Sequence, residues 1–328
     1  MTSRRLSIAL PVYNGADYLA PTLESISAQS FGDFEVFVSE NSSTDGTADI
    51  LADHARRDRR IRINPTDKLL PQVDNINRAV SLAQSDWVKI QCHDDLMQPS
   101  CMAEISAALD LADANGVGLI GNGESYLFPN GFRTAPKEGG NPVVFNGREA
   151  LAQIFSGRTE FDIPATTTAT VRKEAFDSVG GWDRNYRYLV YAFCWYEIMV
   201  THNYLFIPSS LTVNRIHTGQ SAARMSKELV SVQDLRTFLP AFLARHRDVL
   251  RLPLGTRLRV RAKPVAEGAR KVAGELFAGR TRSALNMVNG LPRSWLPLLA
   301  PLVVRALYAD RLRMKTVEND VPRDMLCP

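Results

Sequence analysis

The sequence predicts an α/β fold, a mainly parallel sheet flanked by helices, followed by a helical carboxy-terminal region. Three observations predict it. Apolar runs of strand length alternate with helical patterns from Leu6 to Ile120, which is how βαβ units read. Polar clusters stand at the ends of those runs, where parallel sheets bind ligands. Beyond Gly219 only helical patterns remain.

The elements follow in order. Leu6 to Val12 is an apolar strand that ends in Tyr13-Asn14, and Ala16 to Gln29 has a helical pattern. A second strand, Phe34 to Ser39, precedes a helix capped by Ser43-Thr44-Asp45 and reaching Arg57. A short strand at Ile61 to Asn64 and a helix from Val73 to Gln84 come next. The strand Trp87 to Gln91 stops at Cys92-His93-Asp94-Asp95; a helix from Pro99 to Asp113 and a strand from Val117 to Ile120 follow. After Tyr126 the pattern shortens: a turn at Phe128 to Gly131, a Thr-rich strand at Pro164 to Val171, and a helix at Tyr186 to Thr201. Two strands, Tyr204 to Ile207 and Leu211 to Ile216, lead to helices broken at Pro253, Pro264 and Gly290-Leu291-Pro292.

Composition narrows the function classes. With 328 residues, 45% apolar and 23% charged, the chain can bury a sizeable core, which excludes disordered and collagenous readings. Its four cysteines lie far apart without a CxxC pair, which excludes a zinc ribbon and a disulfide scaffold. No signal-peptide pattern and no run of about 18 apolar residues occurs. Leu296 to Ala309 comes nearest and is interrupted by Pro297, Pro301 and Arg305. The expected location is the cytoplasm.

Charge divides the chain. Residues 1–223 carry 19 Lys/Arg against 26 Asp/Glu, and residues 224–315 carry 19 against 6. Two regions are expected, a domain over 1–222 and a basic helical region over 223–328. The basic stretch suits either an anionic membrane surface or solvated helix faces. Its apolar stripe of Leu235, Phe238, Leu239, Phe242 and Leu243 suits core packing. Nucleic acid is not expected, because interleaved aromatics are missing.

The strand-end clusters carry the chemistry. Adjacent carboxylates at Asp94-Asp95 repel, by about 4 kcal/mol at about 4 Å and an effective dielectric of 20. A divalent cation that brings substrate phosphates would relieve them; a helix N-cap before Pro99 is the other reading. Glu40 can accept a hydrogen bond from a nucleobase N–H, Tyr13 can stack on a base, and His217 can bind a metal or phosphate. Each also fits plain packing or capping.

In their order and spacing, these segments resemble family-2 glycosyltransferases of the GT-A type, which use nucleotide-sugar donors. Leu6-Ser7-Ile8-Ala9-Leu10-Pro11-Val12-Tyr13-Asn14 is similar to the family's opening strand. Ser39-Glu40-Asn41-Ser42-Ser43-Thr44-Asp45-Gly46-Thr47 is similar to its second signature, with Glu40 where Asp is usual. Asn75-Ile76-Asn77-Arg78-Ala79 and Trp87 to Pro99 resemble the approach to its metal motif, here His93-Asp94-Asp95. Arg215-Ile216-His217 resembles its late R-x-H element.

The resemblance implies a GT-A-like, Rossmann-type sheet and roles for particular residues. Pro11, Tyr13 and Glu40 would hold the nucleobase, Asp94 the ribose or donor sugar, and Asn77 belongs to the same nucleotide-sugar set. Asp95, helped by His217, would hold Mn²⁺ or Mg²⁺. It further implies transfer with inversion, a UDP-sugar before GDP- or dTDP-sugar, and a glycan or lipid-linked acceptor. One departure stands out. Gly180-Gly181-Trp182-Asp183 is present, yet Val190-Tyr191 fill the place of the family's acidic pair. A one-turn deletion would move that place only to Cys194-Trp195. Glu197 is the expected substitute base, with Asp183 the carboxylate upstream. The alternative is a degenerate member that binds a nucleotide-sugar or partner without transfer.

Overall fold

The structure, a computed structural model, describes residues 5–135, 139–159, 161–217, 229–278, 280–289, 291–292 and 295. The apolar stretch Leu296 to Ala309 and Cys327 lie outside the described residues.

Strand β1 (Leu6–Val12) is buried almost throughout, as the inner strand of a sheet covered on both faces must be. It pairs in parallel with β2 (Glu35–Glu40) and β4 (Trp87–Ile90), and β2 pairs in parallel with β3 (Ile61–Pro65). Helices α1 (Leu19–Ser27), α2 (Thr47–Arg57) and α3 (Gln72–Leu82) connect them. The carboxyl ends of all four strands therefore open at one edge.

Beyond β4 the sheet is mixed, where the sequence suggests a mainly parallel one. Strand β5 (Leu96–Met97), α4 (Cys101–Ala114) and β6 (Val117–Leu127) come first, then β7 (Val143–Phe145) and α5 (Gly147–Ser156). They are followed by β8 (Ala169–Arg172), α6 (Lys173–Ser178), α7 (Val190–Thr201) and β9 (Asn203–Arg215). The strand order is β3-β2-β1-β4-β8-β6-β9-β5, with β7 on β9. Strand β8 lies antiparallel between β4 and β6, while β6 and β9 run parallel. Short strands inserted between long ones carry no periodicity of their own, so their direction is not readable in sequence.

Two strand boundaries differ from expectation. The Thr-rich run is a 3₁₀ turn at Thr166–Thr168 before it becomes β8, and the Thr168 hydroxyl donates to Ala165 O at 3.2 Å. Such local bonds compete with a ladder. The two expected late strands are one, β9, with the register slipping opposite Gly123. A Cβ at Gly123 would lie 2.7 Å from Pro208 O, so glycine lets the bulged chain pass.

The chain divides into two compact units. One comprises Met1–Gln220 with His246–Arg251, the other Ser221–Arg245 with Leu252–Pro328. The first includes the short helix α9 (Arg247–Leu250), so the chain returns to it after residue 222. The second contains α8 (Val230–Arg245), α10 (Leu254–Phe277) and α11 (Thr281–Asn289). Its core joins Val232, Val265, Ala269, Val272, Ala284 and Met287. Helix α10 runs through Pro264, where a break is expected. Proline costs about 3 kcal/mol in a helix interior. Burying the flanking valines, at about 1.5–3 kcal/mol each, offsets that.

Candidate active site

The loops after β1 and β2 are laced together. Asn14 and Ser42 adopt left-handed backbone, φ 45° and 54°, at the two strand ends. Asn14 N donates to Ser43 Oγ at 3.0 Å, and Thr44 N donates to Asn14 Oδ1 at 2.9 Å. Ala16 N donates to Asp45 Oδ2 at 3.1 Å, and Thr47 N donates to Asp45 Oδ1 at 3.0 Å. Within Ser43 to Asp45, Asp45 thus serves the start of α2 and also fixes the neighbouring loop. The lacing brings three sequence candidates to one edge. Pro11 is half-buried opposite Ser39, and Tyr13 is 42% exposed. Glu40 is buried and accepts from Ser43 N at 2.7 Å through Oε1, which leaves Oε2 for another donor.

The turn after β4 is pinned from two sides. Thr22 Oγ1 donates to His93 O and Asp95 O at 2.8 and 2.9 Å; Gln91 Nε2 donates to Cys92 O and Asp95 O at 3.2 and 3.1 Å. Helix α4 takes Ser100 as its N-cap, with no side-chain cap bond, so Asp94 and Asp95 do not cap it. The capping alternative is thereby removed. Asp95 is 3% exposed and its Oδ1 accepts from Arg215 N at 2.9 Å. Burial, then the adjacent Asp94 charge, pushes its carboxyl up to about 7. Asp94 Oδ2 meets His217 Nε2 at 3.0 Å. The His217 ring lies 4.2 Å from the Tyr18 ring, over which the Arg215 guanidinium also sits at 5.2 Å.

Three residues here escape the sequence reading. Cys92 contributes its sulfur to a group in which Sγ and the Asp94 and Asp95 carboxylates lie within 4.8 Å of one another. Lys89 is fully buried in β4, where its Nζ donates to Thr167 O and to Ile90 O. Burial holds its pKa below the usual lysine range, while Asp95 and Glu124 are among the negative groups that oppose this. Glu124, in β6, accepts from Tyr126 OH and from Asn214 Nδ2, each at 2.5 Å. Its charge reaches Asp95 and Tyr191 as well. No local motif marks Lys89 or Glu124, and Cys92, though it opens the strand-end cluster, shows its proximity to both carboxylates only in three dimensions.

The other expected residues lie elsewhere. Asn77 spends both ends of its amide on one partner: Nδ2 donates to Trp182 O, and Oδ1 accepts from Trp182 N, both at 2.9 Å. These bonds tie α3 to the Gly180–Asp183 turn. Asp183 is exposed and accepts from Asn185 N at 2.9 Å, the bond of a tight turn. Glu197, half-buried on α7, pairs with His246 Nε2 at 2.8 Å.

Comparison with known proteins agrees with this architecture. The family described as Glycosyl transferase family 2 matches residues 7–180, just over half of the chain. The chain belongs to that family. This family-2 chain is 25% identical over 185 residues to the glycosyltransferase GlyG of Streptococcus pneumoniae. The match covers 54% of this chain and 60% of GlyG, so it spans less than two thirds of that relative. Among solved structures it resembles S. aureus TarS in complex with UDP-GlcNAc, with a TM-score of 0.56 and 14% identity over 86% of this chain and 90% of that one. It also resembles the mannosyltransferase PcManGT of Pyrobaculum calidifontis in complex with GDP-Man and Mn²⁺, with a TM-score of 0.57 and 16% identity over 97% and 88%. At such identity the likeness shows the GT-A fold. In this chain the strand-end segments, read separately in sequence, converge on the edge formed by β1, β2 and β4.

Proposed function

We propose that this family-2 glycosyltransferase takes a nucleoside-diphosphate sugar, UDP-linked by preference, at the carboxyl ends of β1, β2 and β4. It transfers the sugar to an acceptor hydroxyl with inversion. The observation that carries the reading is the crowded Asp94–Asp95 doublet, which caps no helix and whose buried member is driven toward protonation. The donor set fits Mn²⁺ or Mg²⁺, with Asp95 and Asp94 as oxygen ligands and His217 orienting Asp94. A divalent cation held there supplies neutralising charge to a diphosphate leaving group. Glu40 offers a free carboxylate oxygen to a nucleobase N–H, and the exposed Tyr13 ring offers a stacking face. The complexes of TarS with UDP-GlcNAc and of PcManGT with GDP-Man and Mn²⁺ support a donor of this class.

The general base is proposed at Glu197. Glu124 is the competing carboxylate, with electrostatic reach to Asp95 and to Tyr191; both candidates are engaged, Glu197 by His246 and Glu124 by Tyr126 and Asn214. Losing the base costs roughly 10²- to 10⁴-fold in transfer rate. Glu197→Gln and Glu124→Gln, compared by kcat at saturating donor, therefore identify it: the true base loses that factor and the other variant does not. The acceptor is proposed to be a glycan or lipid-linked hydroxyl, and the cell compartment the cytoplasm, with residues 224–315 against an anionic membrane face.

A thermal-shift panel of UDP, GDP and dTDP, each with and without Mn²⁺, tests the donor reading. A shift for UDP that requires Mn²⁺ is expected. No shift with any nucleotide and metal defeats it. A second reading, a family member that binds the donor without transfer, follows from Val190-Tyr191 and the engaged Glu197. Donor hydrolysis or transfer with Mn²⁺ separates the two.

A further inference from the structure

We propose that Cys92 is a third ligand of the Asp94–Asp95 cation site, which makes the centre a mixed sulfur and oxygen one that favours thiophilic metals. The inference rests on the proposed cation role of the doublet and adds a donor to it.

Geometry is the first argument. Cys92 Sγ and one oxygen from each of Asp94 and Asp95 all lie within 4.8 Å of one another. Metal–sulfur bonds of about 2.3 Å and metal–oxygen bonds of about 2.0–2.2 Å allow two ligands of one ion to stand up to about 4.5 Å apart. Side-chain adjustments of a few tenths of an ångström suffice. The backbone around them is already fixed by the Thr22 and Gln91 bonds to His93, Cys92 and Asp95.

Thr167 supplies an independent observation. Its side chain is 2% exposed, and its hydroxyl lies against both the Cys92 thiol and the Asp95 carboxyl, interacting with each without a well-formed hydrogen bond to either. The carbonyl of the same residue already accepts from Lys89 Nζ and from Thr212 Oγ1, so the hydroxyl alone is left to face the site. A buried hydroxyl that is not fully hydrogen-bonded is costly, and one set against two of the three potential ligands matches a cation or its bound water.

The chemistry is a simple exchange. The Cys92 S–H bond breaks, a sulfur–metal bond forms, and the proton leaves to solvent. Thiolate is a soft donor, so the site should take Co²⁺, Zn²⁺ and Cd²⁺ in preference to Mg²⁺, with Mn²⁺ between them.

The test uses the full chain carrying Cys327→Ser, which removes the thiol outside the described residues. Co²⁺ is added alone and with UDP; bound metal is measured by equilibrium dialysis and sulfur ligation by the near-ultraviolet thiolate-to-cobalt band. The expected result is retained Co²⁺ with that band, lost on Cys92→Ser and kept on Cys101→Ser and Cys194→Ser. Retained Co²⁺ without the band, or a band that survives Cys92→Ser, overturns the thiol ligand and leaves the carboxylate site standing. Failure to retain either Co²⁺ or Mn²⁺, with or without UDP, overturns both. Should Cys92→Ser not fold, ¹¹³Cd NMR of the Cd²⁺-loaded Cys327→Ser chain decides the matter without a substitution at the site. A resonance in the sulfur-ligated range supports the proposal, and one in the oxygen-only range overturns it.

Discussion

Asp95 carries two loads that a solvated carboxylate does not, burial and the Asp94 charge beside it, and together they lift its pKa from 3.8 to about 7. The folded chain then binds this proton more tightly than the unfolded one. The stabilisation is complete below pH 3.8 and is lost as pH rises through about 7. Thermal melts of metal-free protein should therefore show a decline through about pH 7 that Asp95→Asn flattens. Mn²⁺, if it sits on this carboxylate, should raise the melting temperature more above that pH than below it. A second residue-scale prediction concerns Gly15, which lies under the His93 ring. A Cβ there would be 2.7 Å from His93 Cδ2 and 3.3 Å from Val12 Cγ1, so the imidazole must move. Overpacking of this kind costs about 1–3 kcal/mol. Gly15→Ala should lose that much stability in urea titration and should weaken UDP binding, because His93 belongs to the turn that carries the doublet.

At the scale of elements, what could be read in the sequence follows burial. Strands β1, β2 and β4 are buried on both faces and read as near-continuous apolar runs, so their polar ends, and with them Tyr13, Glu40 and Asp94, were visible as strand-end clusters. Strands β5 and β7, of two and three residues, are too short to carry a period, and with them went the mixed half of the sheet. Groups that act across long separations were hidden too. Cys92 looks like any cysteine until Thr167 folds beside it, and Asn77 finds its partner Trp182 only 105 residues away. That last link is a testable joint between α3 and the turn before α7. Two hydrogen bonds at about 0.5–1.5 kcal/mol each are lost in Asn77→Ala. The variant should be destabilised by about 1–3 kcal/mol in denaturant unfolding, with the KM for donor unchanged. A raised KM with intact stability would instead support the place of Asn77 in the nucleotide-sugar set.

Across the whole molecule, charge and architecture divide together: the acidic part of the sequence builds the sheet and its site, and the arginine-rich part builds helices. Much of the helical stripe is structural, since Leu235, Phe238, Leu239 and Phe242 are buried. The first turns of α10 are different. Leu254 and Leu258, 65% and 55% exposed, stand one turn apart, and Arg257, Arg259 and Arg261 are exposed beside them. None of the described helices is long and apolar enough to cross a membrane. Basic side chains at an anionic surface contribute about 1 kcal/mol each, so three arginines supply about 3 kcal/mol at low salt, and the leucines add apolar burial. Co-flotation with phosphatidylglycerol vesicles at low ionic strength is therefore expected. It should weaken in about 1 M salt, where the Debye length falls to about 3 Å, and should be absent with phosphatidylcholine alone. Leu254→Ser with Leu258→Ser should reduce flotation while leaving donor binding intact, because these positions lie far in sequence from the strand-end site. Flotation that stays negative with anionic vesicles at low salt would return these arginines to the role of solvated helix faces, and the proposed acceptor would then have to reach the strand-end site without help from this surface.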